Sequence, residues 1–444
     1  MLKSFTDILK IPELKKKILF TLGILAVYRV GAAIPTPGID ASALKVFFET
    51  QRGTLFGFLD MFSGGALNRL SIFSLGIMPY INASIIMSLL QTAVPYLERL
   101  SKEGEFGRRK ITQISRYATL FIAGIQAFGL TFWMQTVRAP GGASVVKNPG
   151  LSFQLLTILT LTTGTVFIMW LGEQITEKGV GNGISLIIFA GIVDRLPSAV
   201  RNVFRLFRSE EMTLFGLLFL LALIFFLIAS VVWVEQAQRK IPVQYAKRII
   251  GRKMYGGQST FLPLKVDQSG VIAVIFAVAI MMFPATIAQF FPNIDLMQKI
   301  GGFLRPGQWL YTLIYGGLIV FFCYFYTAIT FNPNDLAENM KKWGGFIPGI
   351  RPGQSTAAHI DRVLTRITLA GALFVVCIAI LPDYPIAWVN APPGLAHIFG
   401  GTAVLIMVGV ALDTIGQIES HLIMRHYEGF MRKGRIKGRY FNIR

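Results

Sequence analysis

Long apolar runs separated by polar connections dominate the chain. A helix needs about 20 mostly apolar residues to cross the hydrocarbon core, and ten stretches meet that pattern: 18–37, 71–95, 117–137, 151–171, 180–196, 213–234, 269–291, 308–330, 364–382 and 395–418. One stretch resists the pattern. Residues 62–81, FSGGALNRLSIFSLGIMPYI, are too apolar for a loop yet broken by Gly64, Gly65, Asn68, Arg69 and Pro79. Two connections, 235–268 and 331–363, are far longer than a helix-to-helix turn needs and predict ordered projections. In the first, alternating apolar and polar residues flank Gly256 and Gly257, which predicts a hairpin with Lys247, Arg248, Arg252 and Lys253 at its tip. The second predicts a helix starting at Asn334 or Asp335. A bend follows that holds Arg351 between Gly349, Ile350, Pro352 and Gly353.

Composition turns these runs into a membrane assignment. Of 444 residues, 53% are hydrophobic and 15% charged, more apolar surface than a soluble fold could cover. The net charge of +20 could signal nucleic acid, so its distribution decides. With the N-terminus inside, 30 of the 43 Lys and Arg fall on one side and 11 on the other. That asymmetry predicts both termini in the cytoplasm. The first run follows a basic start but lacks a small-residue cleavage site, so it reads as a retained span. Ten spans split into five and five, which makes the second half enter the membrane in the opposite sense. The expected layout is a cytoplasmic segment 1–17, halves 18–200 and 201–418, and a basic tail 419–444.

Catalytic chemistry is hard to find. There is no GxxxxGK[ST] loop, and GVGNG at 179–183 lacks both dinucleotide spacing and a preceding strand. His421 and His426 are five apart on a helix, a poor spacing for one metal. Arg29 and Asp413 are the ionisable candidates inside spans, and their positions suggest snorkelling or a local pair more than a proton relay. Cys323 and Cys377 both fall in spans, where a thiol is usually an apolar filler. Ile77 and Ile81 would share one helix face, as would Ile184 and Ile188. Such pairs ordinarily face lipid or neighbouring helices, but Pro79 and the glycines of GVGNGIS break both helices there.

Six stretches in order, SLGIMPYINASIIMSLLQ, WLGEQITEKGVGNGISLIIFAGIV, QSTFLPLKV, MFPATIA, FNPND and FIPGIRPGQST, resemble the SecY family, the channel subunits of bacterial Sec protein translocation. The resemblance implies an all-α polytopic membrane protein: ten transmembrane helices in two inverted five-helix halves, a re-entrant plug and two large cytoplasmic loops. The plug would span about 58–70, with Asp60, Asn68 and Arg69 in a polar vestibule and Gly64 and Gly65 at its bend. The positions matching the family's apolar pore ring are Ile77, Ile81, Ile184, Ile188, Ile275 and Ile406. The lateral gate would open between spans two and three on one side and seven and eight on the other. Asn82, Ser84, Ser88, Gln91, Thr286 and Gln289 are the candidate polar contacts that close it. The basic loops would bind the SecA motor or the ribosome, with Arg351 matching the family's key arginine.

The implied function is a protein-conducting channel of the bacterial inner membrane, without enzymatic activity or cofactor. It would work as a heterotrimer with SecE and SecG, handling signal sequences and unfolded preproteins among anionic membrane lipids. A secondary transporter for a small solute would also suit ten inverted spans, but it needs a polar midplane site that this sequence scarcely offers. An intramembrane enzyme fares worse, because no paired acids or Ser/Lys dyad share a depth.

Overall fold

A computed structural model of the chain describes residues 11–40, 44, 60, 63–137, 144–210, 212–245, 248–250, 253–255, 259–290, 308–382 and 400–433, with backbone only for 248–250, 253–255, 285–290 and 425–433. Each of the ten apolar stretches overlaps a helix. These are α1 (Pro12–Ala33), α2 (Met78–Ala93), α4 (Glu105–Thr136), α5 (Leu151–Lys178), α6 (Gly183–Val193), α8 (Leu214–Glu235), α9 (Val271–Phe290), α10 (Trp309–Thr330), α12 (Gln354–Ile380) and α13 (Gly401–Lys433). Shorter helices α3 (Pro95–Lys102), α7 (Leu196–Arg208) and α11 (Pro333–Lys342) lie between them. Seven helical segments among the described residues are individually long and apolar enough to cross a membrane.

Helix starts depart from the apolar runs where local chemistry decides them. The run at 71–95 becomes helical only at Met78, because Pro79 occupies the first turn, where no amide hydrogen is needed. Residues 63–77 form turns instead, including a short 3-10 stretch at Leu67–Arg69. Asn182 starts α6 by accepting the amides of Ile184 at 3.1 Å and Ser185 at 3.4 Å. α11 begins at Pro333 rather than at Asn334 or Asp335, because Asn332 supplies the cap, accepting the Asn334 amide at 3.0 Å. α12 starts ten residues before its apolar run, and α13 continues well past residue 418. The expected division at residue 200 falls inside α7.

The first projection is a hairpin, as its alternation predicts. β1 (Gln238–Tyr245) pairs antiparallel with β4 (Ser259–Lys265), and the short β2 (Arg248–Ile250) and β3 (Lys253–Tyr255) continue the same register. The register is centred between β2 and β3, within the expected tip at 247–253. Arg248 and Lys253 flank the tip as expected, whereas Lys247 and Arg252 lie outside the described residues. The second projection is joined to the first: β5 (Gly345–Phe346) adds to the β1 edge through Gln244↔Phe346 and Tyr245↔Gly345. Ile241, Val243, Leu264, Met340, Ile347 and Ile360 form a separate apolar core beneath this sheet. The two basic loops are thus one folded unit.

Candidate functional site

The largest buried cluster draws on α1, α2, α5, α6, α8, α9, α10, α12 and α13. Five of the six candidate ring isoleucines are buried members of it, Ile77 and Ile81 from the start of α2, Ile188 from α6, Ile275 from α9 and Ile406 from α13. Ile184, partly buried at the start of α6, packs against the same cluster. Isoleucines from α2, α6, α9 and α13 therefore belong to, or pack against, one buried apolar cluster. The broken helix starts matter here: Ile77 is the residue before α2, and Ile184 is the second residue of α6.

Beside this cluster the turns at 63–77 are clamped by polar contacts. Gly64 and Gly65 hold positive φ of 64° and 80°, which supports the expected bend. A Cβ on Gly64 would lie 3.0 Å from the Cα of Gly191, so the bend packs directly on α6. Tyr28 donates its hydroxyl to the Ser63 carbonyl at 3.3 Å and Arg29 donates to the Gly64 carbonyl at 3.1 Å. Arg29 also pairs with Asp194, and Arg195 pairs with Asp60. Asp60 departs from the vestibule expected of it. Its residue is 5% exposed, and its carboxylate accepts the Asn68 amide at 2.8 Å while holding Arg195. A buried carboxylate must be paired, and this one caps the turn from within. Asn68 is half-buried and Arg69 exposed, and residues 58, 59, 61 and 62 of the expected plug lie outside the described residues.

Small residues admit the rest of the segment. A Cβ on Gly31 would fall 2.0 Å from a ring carbon of Phe73, and one on Gly164 would fall 1.9 Å from the Ile72 carbonyl oxygen. Phe73 stacks on Tyr28 with centroids 5.9 Å apart. Sequence reasoning found Arg29 as a local pair but missed Tyr28, Ser63, Asp194 and Arg195. The adjacent Asp-Arg at the end of an apolar run was the available signal.

At the expected lateral gate, α9 packs against α2 and α4. Between them lies a cavity of about 310 Å³ lined by Asn82, Ile85, Ile86, Leu89, Ile122, Ile280, Phe283 and Pro284. Asn82 is its one polar side chain among those residues, and it is 8% exposed. Among the described side chains of the other polar candidates, Ser88 donates to the Ser84 carbonyl at 2.9 Å within its own helix, the usual behaviour of serine four residues along an apolar helix. Ser84 and Gln91 are half-buried on α2, and Thr286 and Gln289 belong to the helical backbone of α9 with side chains outside the described residues. Asp413 is exposed on α13. Cys323 is buried, accepting from the Ser269 hydroxyl at 3.3 Å, but Cys377 is exposed, contrary to the filler reading. Outside the spans, burial pushes the Asp267 carboxyl above its ordinary range, against hydrogen bonds from Ser269 and the Gly270 amide.

Arg351 is exposed on the bend between α11 and α12, flanked by Gly349 at φ 81° and Gly353 at φ 108°. Its own carbonyl accepts the Thr356 hydroxyl at 2.9 Å, fixing the bend to the start of α12. The SecY family model matches residues 71–415. This chain belongs to the SecY family. It is 48% identical over 429 residues to the protein translocase subunit SecY of Escherichia coli K12, covering 96% of each chain. It is 46% identical to SecY of Aquifex aeolicus, covering 96% of this chain and 98% of that one, and 45% identical to SecY of Thermus thermophilus, covering 99% and 100%. Solved structures share the fold at lower identity. A protein-conducting channel aligns over 91% of both chains with a TM-score of 0.64 and 16% identity. Sec61 from the canine ribosome-channel complex of the endoplasmic reticulum aligns over 91% of both with a TM-score of 0.59 and 15% identity.

Proposed function

We infer that this chain is the protein-conducting channel of a Sec translocase. It passes unfolded secretory polypeptides across the bacterial plasma membrane and releases apolar segments sideways into lipid. The observation that carries this reading is the meeting of six isoleucines from both halves of the chain in one apolar cluster, with a glycine-bent segment clamped beside it. An ion must shed water to cross an apolar neck, whereas an extended polypeptide fills the neck and replaces those water contacts. The ring therefore seals against ions without selecting among polypeptide sequences. The segment clamped by Arg29 and Arg195 acts as the plug, and the apolar cavity at Asn82 accepts the leading face of a signal sequence. Leu and Ile each favour insertion by a few tenths of a kcal/mol and a central Arg or Lys opposes it by about 3 kcal/mol, so partitioning at that opening can sort segments.

Both termini and the joined basic unit lie in the cytoplasm, where Arg351 and the hairpin tip meet the SecA motor or the ribosome. SecE and SecG complete a heterotrimer, and anionic lipids face the basic side. The test is reconstitution of the chain with SecE and SecG in liposomes, with SecA, ATP and a secretory precursor. Protease protection of the precursor that requires ATP is the expected result. An intact complex with active SecA and no protection would remove the channel reading and restore that of a solute carrier.

A further inference from the structure

Helix α7 follows α6 with only Asp194 and Arg195 between them, and its 13 residues, LPSAVRNVFRLFR, run about 20 Å. Three rows divide its surface. Leu196, Ala199, Val203 and Leu206 form the first and pack together around the buried Ala199. Val200, Phe204 and Phe207 form the second, exposed by 60%, 68% and 38%. Arg201, Arg205 and Arg208 form the third, and all three are exposed. Their spacing of three or four residues stacks each row on one face. Among the described residues, none of the three arginines makes an ion pair. Arg205 donates to Asn202 at 3.0 Å and Arg201 to the Pro197 carbonyl at 3.3 Å.

An exposed apolar row would be a liability in water, and an exposed arginine row beside it would be one in hydrocarbon. The one surrounding that satisfies both is the boundary where acyl chains meet headgroups. Continuity supports that placement. The next helix opens with Leu214, Phe215 and Leu218, exposed by 61%, 80% and 57%, so the apolar row of α7 adjoins a lipid-facing surface. Charge sets the lipid type. In the layout read from the sequence this connection lies opposite the basic loops, where basic residues are sparse, yet Arg201, Arg205 and Arg208 gather three of them on a single short helix. The acids Glu210 and Glu211 follow beyond the end of the helix.

We propose that α7 is an interfacial helix that binds the headgroups of anionic phospholipids in the leaflet facing away from the basic loops. Val200, Phe204 and Phe207 enter the acyl boundary, and Arg201, Arg205 and Arg208 hold the phosphodiesters, which matches arginine's preference for planar, multiply hydrogen-bonded anions. Because α7 directly continues α6, which carries Ile184 and Ile188, the same contact anchors one wall of the central cluster to the bilayer.

The test places the complete complex in nanodiscs of phosphatidylcholine containing a minor share of phosphatidylglycerol, with a photoreactive version of either lipid, and maps labelled peptides by mass spectrometry. Phosphatidylglycerol should label 196–208 in preference to phosphatidylcholine. The variant R201S/R205S/R208S should lose that preference, since each basic residue near an anionic surface contributes about fivefold in affinity, on the order of 100-fold for three. R201K/R205K/R208K should keep most of it. Labelling near the exposed Phe121 and Phe128 of α4 should be equal in all variants, which reports an intact fold. Equal labelling of 196–208 by both lipids, or a preference that survives the serine variant, would overturn the proposal. So would a photoreactive residue at position 204 that captures a polypeptide in native membranes.

Discussion

The amide of Gly181 donates to the side-chain carbonyl of Gln417 at 2.9 Å, tying a turn before α6 to the last helix of the chain, 236 residues away. The neighbouring amides are handed to other elements. Val180 donates to the Thr21 hydroxyl on α1 at 3.1 Å, and Gly183 to the Thr176 hydroxyl on α5 at 2.9 Å. The GVGNG stretch brings three helices to one turn. Gly181 sits at φ 88°, and a Cβ there would lie 2.8 Å from Leu186 Cδ1 and 3.1 Å from Thr414 Oγ1.

Two substitutions separate the hydrogen bond from the backbone at this turn. Gln417→Leu removes only the acceptor, and because Gln417 is itself exposed the loss should be about 1 kcal/mol, the low end for an orphaned amide. Gly181→Ala adds left-handed strain of roughly 1–2 kcal/mol together with the close contacts. Thermal unfolding of the purified complex should show G181A the less stable of the two. Equal melting temperatures would mean that the turn tolerates a side chain.

The Asp60–Arg195 pair should govern how firmly the plug sits. Asp60 is 8% exposed at its side chain and Arg195 20%, so removing one partner leaves a charge with little water to receive it. By the usual cost of such a break, Asp60→Ala should unseat the segment by about 3 kcal/mol. The readout is ion conductance of the reconstituted channel without precursor, which should rise well above the parent's. The double variant D60A/R195A should leak less than D60A alone, because the orphaned cation is gone. A leak identical in both would show that the orphaned cation does nothing to unseat the segment.

Much of this arrangement is legible in the chain, and the illegible parts share a cause. The ten apolar runs and the hairpin follow from hydropathy and alternation, and the family resemblance implies the bend at Gly64–Gly65. Joining of the two basic projections does not, because β5 contributes only Gly345 and Phe346, too short to carry a period. Nor does the clamp. Arg29, Asp194, Arg195 and Asp60 stand as isolated polar residues at the edges of apolar runs, and only tertiary approach pairs them. The gate illustrates the converse. Ser88 looks like an interhelical donor in sequence, but a serine in an apolar helix has its own carbonyl four residues back within reach.

Ile406 tests the seal itself. It is fully buried on α13, in the cluster that also holds isoleucines of α2, α6 and α9. Ile406→Asn places an amide where nothing is available to hydrogen-bond it, a cost of roughly 1–3 kcal/mol that favours a wetter, wider neck. Ion leak should rise, and precursors with weakened signal sequences should be exported more readily. Ile406→Leu, which keeps an apolar side chain of similar volume, should change neither by much. An unchanged leak in the asparagine variant would move the constriction away from this cluster.

Arg351 should separate assembly from drive. Its side chain is exposed, its bend is fixed by Gly349, Gly353 and the Thr356 hydroxyl, and the apolar core beneath the joined sheet does not include it. Reversing its charge should therefore leave the fold within about 0.5 kcal/mol, as for most surface substitutions. A partner that places a carboxylate against the guanidinium would meet repulsion in Arg351→Glu and lose its geometry in Arg351→Lys, since lysine lacks the planar fork. The expected outcome is an R351E complex that purifies with SecE and SecG at normal yield and melting temperature, yet fails to protect a precursor with SecA and ATP. R351K should fall between it and the parent. Full export by R351E would take the motor contact away from this bend.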